Sequence, residues 1–135
     1  MTPHNLNARS ERRKHPRIYR KLPIKIKADL FDLVTESQNL SLSGVYCQSD
    51  KCLGLMTKVN IVMLLPIRRE RLKTVTKKVH CEGIVVRVEK SPQATDKFNL
   101  AVFFNRITKA NRDIISRYIE SHREENSASG VDNII

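Results

Sequence analysis

Between residues 22 and 104, short segments rich in apolar and β-branched side chains follow one another, and this pattern favours β-structure. Successive side chains of a strand point to opposite faces, so alternation is typical of a strand with one buried and one solvated face. The clearest example is the run Leu22–Leu30, in which every second residue is apolar. Pro23 near its start favours an edge or entry position, because proline cannot donate to the ladder.

Six segments of this kind are separated by short clusters of turn-forming residues, as in an all-β domain. Pro66 is expected to end the fourth strand, and residues 67–73 to form a basic loop before the fifth. Gly83, inside the fifth strand, indicates a bulge or bend. The predicted strands are Leu22–Leu30, Leu33–Gln38, Gly44–Cys47, Lys58–Leu65, Thr74–Glu89 and Phe98–Phe104.

After the sixth segment the apolar period changes from that of a strand to that of a helix. Helical spacing relates Ile114, Ile115, Tyr118, Ile119 and His122, and Thr108 lies where an N-cap is expected. Six short strands followed by one helix predict a mainly β fold. The expected architecture is a six-stranded antiparallel β-barrel whose open end is covered by a C-terminal α-helix.

The net charge of +11 is concentrated at the N-terminus. Residues 1–27 carry nine Lys or Arg against Glu11 alone, a net +8, whereas the rest of the chain has a net +3. Residues 1–20 have few apolar side chains and no period. We therefore expect a flexible basic arm at 1–20, a barrel-and-helix unit at 21–123 and a disordered tail at 124–135. Such an arm attracts phosphates of any kind, including those of nucleic acid and anionic lipid head groups.

Several classes of protein are disfavoured by the composition. The longest apolar run, Ile61–Leu65, is far shorter than the roughly 20 residues that cross a bilayer, and no secretory signal is present, which favours a cytoplasmic protein. The three cysteines lack CxxC spacing, and we interpret them as reduced thiols with no metal site. No Gly-rich phosphate loop and no Ser/His/Asp or Cys/His constellation is present, so we predict no catalytic residues and no enzymatic activity.

Two motifs flank the first two predicted strands. Arg13-x-x-x-Arg17 lies just before the first, and Asn39-x-Ser41-x-x-Gly44 lies between the second and the third. The arginine spacing alone carries little information in a chain with thirteen arginines, but the second motif fixes three residue types. In this order, on a barrel of this length, the pair resembles the RxxxR and [D/N]xSxxG signatures of the PilZ domain family.

The resemblance covers roughly residues 9–120 and implies a receptor for cyclic di-GMP, a bacterial second messenger. Beyond that ligand it implies no cofactor. The ligand-binding residues it implies are Arg12, Arg13, Arg17, Asn39, Ser41 and Gly44.

The chemistry of these residue types fits such a ligand, which has two phosphates and two guanines. An arginine fork can pair with a phosphate or with guanine O6 and N7, and it can also stack on a purine face. The Asn39 side-chain oxygen can accept from guanine N1–H or N2–H, and the Ser41 hydroxyl can serve a base edge or a phosphate. Gly44 is expected to permit a left-handed turn and a close backbone approach.

The chain departs from the family pattern at two positions. Asn39 stands where Asp is commoner in the family. The asparagine side chain keeps a hydrogen-bond acceptor but lacks the negative charge. Ala101 stands in the last strand where family members often carry Gly, and it is small enough to preserve the packing. Arg12, directly before the first motif, matches family members that bind an intercalated dimer of the nucleotide, so the number of ligands, one or two, stays open.

The resemblance implies an effector whose basic arm, with Arg13 and Arg17, folds over the barrel near Asn39 and Ser41 when the ligand binds. The new surface would be read by a downstream protein of motility, adhesion or polysaccharide secretion. A small-barrel nucleic-acid-binding module is an alternative, although aromatic side chains for stacking are scarce. A further alternative is a protein-interaction adaptor that has lost its ligand.

Overall fold

The computed structural model describes residues 16–30, 32–69, 73–94 and 96–128. These residues form six antiparallel strands followed by one C-terminal helix, which confirms the predicted mainly β class. The elements are β1 (Pro23–Lys27), β2 (Asp32–Leu40), β3 (Gly44–Ser49), β4 (Lys58–Arg69), β5 (Lys73–Lys90), β6 (Phe98–Arg106) and α1 (Lys109–Ala128).

The strands are arranged in the order β1-β2-β3-β6-β5-β4, and β1 pairs with β4 as well as with β2. The sheet therefore closes on itself as a barrel and leaves β1 no free edge. The inward side chains form the core, and each contributes about 1.5–3 kcal/mol by its burial. The largest fully buried side chains on the strands are Ile24, Ile26, Leu40, Ile61, Met63, Leu65, Val79, Val85 and Leu100.

The first strand is shorter than its alternation predicts. Ile24 and Ile26 are buried, but the ladder with β2 ends at the Lys27–Asp32 pair. The chain reverses between these two residues, so Leu30 lies in the turn with 91% of its surface exposed. Alternation continues into the turn by chance, and the prediction of a strand as far as Leu30 was wrong.

The prediction that Pro66 ends the fourth strand was also wrong. β4 continues through Pro66, which is paired with Thr76, as far as Arg69. Since β1 pairs with β4 only as far as Met63, the end of β4 has a strand neighbour on one side, where a proline need not remove a ladder hydrogen bond. The predicted loop at 67–73 is reduced accordingly, and its central residues 70–72 lie outside the described residues.

The helix begins where the sequence predicts. The Thr108 hydroxyl accepts a hydrogen bond from the Asn111 amide at 3.2 Å, which confirms Thr108 as the N-cap. On the predicted apolar face Ile115, Tyr118 and Ile119 are buried, whereas Ile114 and His122 are half-buried. The helix packs against β4 and β5. The helix runs to Ala128 and so extends into the segment predicted as a tail. In the part of the chain that is described, no helix is long and apolar enough to cross a membrane.

The segment before β1 is joined to β2 by hydrogen bonds. Ile18 is buried, with 1% of its surface exposed, and it pairs with Leu40 at the end of β2. The hydroxyl of fully buried Ser37 donates to the Arg20 carbonyl at 2.7 Å and accepts from the Leu22 amide at 3.1 Å. The predicted arm of residues 1–20 is therefore anchored in its last part, and residues 1–15 lie outside the described residues.

Candidate functional site

The second motif forms a tight turn between β2 and β3 that is closed by Ser41. The Ser41 amide donates to the Gly44 carbonyl at 2.9 Å, and its hydroxyl accepts from the Ser43 amide at 3.2 Å. The same hydroxyl lies 3.1 Å from the Ser43 hydroxyl. Such side-chain-to-backbone bonds hold a turn without a ligand, so Ser41 has a structural role whatever else it contacts.

The first motif is brought to this turn by one isolated bridge. Ile18 and Leu40 exchange two backbone hydrogen bonds, at 2.8 and 3.0 Å, in an antiparallel arrangement. This register places Arg17 across from Ser41. Since Ile18 and Leu40 point into the core, the exposed Arg17 side chain lies on the outer side of the barrel. Arg12 and Arg13, the other predicted ligand-binding arginines, lie outside the described residues.

Asn39 reaches the same outer side because β2 contains a bulge. In the pairing with β3, Ser37 faces Cys47 and Asn39 faces Tyr46, which leaves Gln38 as an extra residue. Ser37 and Cys47 are both inward and fully buried. Without the extra residue, Asn39 would share the inward face with Ser37, whereas the bulge turns it outward beside the Ser41 turn.

Gly44 is required for a different reason from the predicted one. None of the described glycines has a positive φ, so the expected left-handed turn at Gly44 was wrong. Gly44 starts β3 and pairs with Phe103 of β6, and a Cβ atom there would overlap the carbonyl oxygen of Val102. The close backbone approach expected for this glycine is present, and it joins two strands.

These residues surround an open cleft on the outer wall of β3, β6 and β5, with a volume of about 400 Å³. The cleft brings together four of the six predicted binding residues, namely Arg17, Asn39, Ser41 and Gly44. The other residues that line it are Ser43, Val45, Tyr46, Val86, Arg87, Ala101, Val102 and Phe103.

Sequence reasoning missed Arg87 because the alternation of β5 places it in the core. Val79, Cys81 and Val85 are inward and buried, and the same parity continues to Arg87. A bulge interrupts this parity, since Val85 pairs with Val102 and Arg87 with Ala101, so that Val86 is the extra residue. Arg87 therefore emerges on the outer wall. The only sequence signal for this is an arginine at a position that would otherwise be buried.

Ala101 has a different place from the predicted one. The sequence predicts a packing role for it, but it lines the cleft between Tyr46 on β3 and Arg87 on β5. Its short side chain leaves the space between these two larger neighbours open. Tyr46 could have been found from its parity, because Val45 and Cys47 on either side of it are buried in the core.

The surroundings of Tyr46 favour the protonated form of its hydroxyl. Burial raises the pKa of the Tyr46 hydroxyl above its usual value, and the negative charge of Glu89 adds to this effect, while Arg87 opposes it. The neutral hydroxyl donates to Glu89 Oε1 at 3.5 Å. This bond orients the ring of Tyr46 toward Glu89.

The cysteines do not form part of this site. Cys47 and Cys81 are buried in the core, Cys52 is exposed, and all three are free thiols. Across the described ranges, no group of three or more His, Cys, Asp or Glu residues is placed to hold a metal ion.

Comparisons with known proteins identify the family and the fold. The family model of the PilZ domain matches residues 11–121. The fold is similar to that of the Bacillus subtilis inhibitor of motility MotI/DgrA, with a TM-score of 0.71 and 17% identity over 84% of this chain and 52% of that chain. It is also similar to the PilZ domain of Escherichia coli YcgR, solved with cyclic di-GMP, with a TM-score of 0.60 and 16% identity over 87% and 96% of the two chains.

The present chain thus spans about half the length of the MotI/DgrA chain. Curated protein sequences gave no match. A family match over residues 11–121 includes both motifs, all six strands and most of the helix. The chain therefore belongs to the PilZ domain family.

Proposed function

We propose that this protein is a cyclic di-GMP receptor that binds the nucleotide in the cleft beside the Asn39–Gly44 turn. Membership of the PilZ family supports this, as does the likeness to the YcgR domain solved with that nucleotide. The observation that carries the proposal is the Ile18–Leu40 bridge, because it brings Arg17 of one motif across from Ser41 of the other.

The described residues divide the recognition of such a ligand among them. The exposed guanidinium of Arg17 would pair with a phosphate or with a guanine edge. The Asn39 side-chain oxygen would accept from guanine N1–H or N2–H. Ser41 and Gly44 would contribute mainly by shaping the backbone of the site. Ser41 closes the turn, and Gly44 allows β3 to lie close to β6.

The residues before Pro16 would complete the site. Arg12 and Arg13 lie just ahead of the anchored segment, and we propose that this part of the chain closes over the nucleotide. Because Ile18 and Leu22 are already hydrogen-bonded to β2, the entropy lost on closure is confined to the residues before them. The closed segment would form the surface that a downstream protein of motility, adhesion or polysaccharide secretion reads in the cytoplasm.

Isothermal titration calorimetry tests the proposal. The protein should bind cyclic di-GMP in preference to GTP and cyclic di-AMP, with a stoichiometry of one or two read from the isotherm. Arg17→Ala should weaken binding by about 10-fold or more, since charge-assisted bonds contribute about 1.5–3 kcal/mol. Arg112→Ala, which removes an exposed arginine from the helix, should bind like the natural protein. Equal affinities for Arg17→Ala and Arg112→Ala would contradict the proposal.

The same titrations separate this function from nucleic-acid binding. A module that tracks phosphates would lose affinity steeply with salt and would tolerate changes at Ser41 and Gly44. A receptor would depend on both positions and would select one nucleotide. We propose no enzymatic step, and recovery of intact cyclic di-GMP after incubation with the protein is the expected result.

A further inference from the structure

The outer wall of the cleft contains a row of three residues on three adjacent strands. Tyr46 pairs with Ala101, and Ala101 pairs with Arg87. Neighbouring strands lie about 4.8 Å apart, so Tyr46 and Arg87 rise from the wall about 10 Å from each other with only a methyl group between them. The row therefore forms a slot: Ala101 is its apolar floor, and the side chains of Tyr46 and Arg87 are its two sides.

The apolar floor of this slot is extended by one further side chain on β6 and one on β5. Phe103 and Val86 both line the cleft, and about half of each side chain is exposed, at 47% and 51%. Exposed apolar side chains gain free energy when a flat ring covers them and removes their surface from water. The slot therefore suits an aromatic base better than it suits a phosphate.

Arg87 gives the slot its polar specificity. Within the described part of the chain no ion pair involves Arg87, so its fork of N–H donors is available to a ligand. That fork matches guanine, which presents two acceptors, O6 and N7, on one edge. Adenine presents an N6 amino donor in place of O6, and a guanidinium cannot accept a hydrogen bond from it.

We propose that Arg87 reads the base edge of the guanine that lies farther from the Asn39–Gly44 turn. That guanine would lie over Ala101, with Tyr46 as the opposite wall. This inference rests on the proposed function, because it assigns the second base of the same ligand. It adds a specificity-determining residue outside both sequence motifs and makes the bulge at Val86 the feature that delivers it.

The slot also explains the size of residue 101. The Ala101 side chain faces the cleft between its two larger partners, so a branched side chain there would fill the space that a base needs. Ala101→Leu should therefore weaken nucleotide binding without disturbing the barrel interior. Ala110→Leu, at an exposed helix position, is the matched control for added bulk.

Calorimetry with cyclic di-GMP and cyclic di-AMP tests the inference. Arg87→Ala should weaken binding of cyclic di-GMP by about 5- to 100-fold and reduce its preference over cyclic di-AMP by a similar factor, as expected for loss of a bidentate base contact. Arg87→Lys should keep the charge without restoring the preference, because lysine lacks the planar fork. Arg112→Ala is again the control for loss of one exposed positive charge.

The outcomes separate this inference from the proposed function. If the natural protein binds no cyclic di-GMP, both fail. If it binds and Arg87→Ala keeps both the affinity and the preference, the role of Arg87 is overturned while the receptor function stands. If Arg87→Lys restores the preference in full, Arg87 acts through charge alone and the base-reading role is overturned.

Discussion

The amide of Ile18 lies 2.8 Å from the carbonyl oxygen of Leu40, and the reverse pair of atoms lies 3.0 Å apart. This single antiparallel bridge joins two motifs that are more than twenty residues apart in the chain. Because both side chains enter the core, burial fixes the register of the backbone between them. The position of Arg17 relative to Asn39 and Ser41 is thus set by the barrel itself.

Gly44→Ala should destabilise the protein by about 1–3 kcal/mol, because the added methyl group overlaps the carbonyl of Val102 and the two strands must separate. Urea unfolding monitored by circular dichroism measures the change. Gly54→Ala is the matched control, since the nearest atom to its Cβ is Thr57 Oγ1 at 3.6 Å, and its effect should stay within about 0.5 kcal/mol. Similar unfolding midpoints for the two variants would show that the β3–β6 approach is not constrained as described.

Ser37→Ala should destabilise the protein by about 1–3 kcal/mol. The substitution removes the hydroxyl that accepts a hydrogen bond from the Leu22 amide and donates one to the Arg20 carbonyl. Both backbone groups then lack this buried partner. Hydrogen exchange should show the amides of residues 18–22 exchanging faster. Ser121→Ala removes a hydroxyl that bonds the Tyr118 carbonyl within the helix, and it should leave those amides unchanged. Unaltered exchange at Ile18 in Ser37→Ala would disprove the anchoring role.

The three thiols should differ in reactivity. Burial raises the pKa of Cys47 and of Cys81 from the ordinary 9.0 to about 12, whereas Cys52 is exposed. A disulfide reagent at pH 8 should therefore label one thiol rapidly in the native protein and all three in urea. Cys52→Ser should abolish the rapid phase. Rapid labelling of two or more thiols in the native state would contradict the described core.

The same two thiols should make the protein less stable in alkali. Their folded pKa values are raised, so the unfolded chain loses these protons first, at about pH 9. Their contribution to stability is complete below pH 9 and is lost as the pH rises toward 12. The urea midpoint should fall between pH 8 and pH 10.5, and it should fall less in a Cys47→Ala/Cys81→Ala variant. A fall of the same size in both proteins would assign the effect to other groups.

His122 should contribute to sensitivity at the acid end. Burial lowers its pKa below the ordinary 6.5, and the positive charges of Arg20 and Arg68 lower it further. The unfolded chain binds this proton at a higher pH than the folded chain, so the contribution is present above pH 6.5 and is lost as the pH falls. An NMR titration of the His122 ring should give a pKa below 6.5, and His122→Gln should reduce the acid slope of stability. A ring pKa at or above 6.5 would refute this.

The order of elements was predictable because it depends on local patterns. Apolar and β-branched segments between Leu22 and Phe104 predicted six strands, the helical period predicted α1, and the position of Thr108 predicted the N-cap. The strand ends were less predictable. The alternation of β1 continues into the turn at Leu30, and β4 continues through Pro66, which was expected to end it. The end of β1 and the end of β4 are both set by how far the neighbouring strand continues beside them. That depends on the tertiary structure and not on the local sequence.

The candidate site was predicted only where its residues belong to the two motifs. Arg17, Asn39, Ser41 and Gly44 were identified and do line one cleft. Arg87 was not identified, because its position in β5 matches the buried parity until one extra residue interrupts the ladder. A bulge depends on pairing with another strand and leaves little trace in the sequence of its own strand.

The two bulges have a consequence for how such a site can be gained or lost. One extra residue in β2 and another in β5 turn Asn39 and Arg87 from the interior to the surface. Deleting Gln38 or Val86 would turn Asn39 or Arg87 toward the interior, although neither of these two polar side chains would itself be changed. Chain length at these two points is therefore itself a determinant of which ligand the barrel accepts.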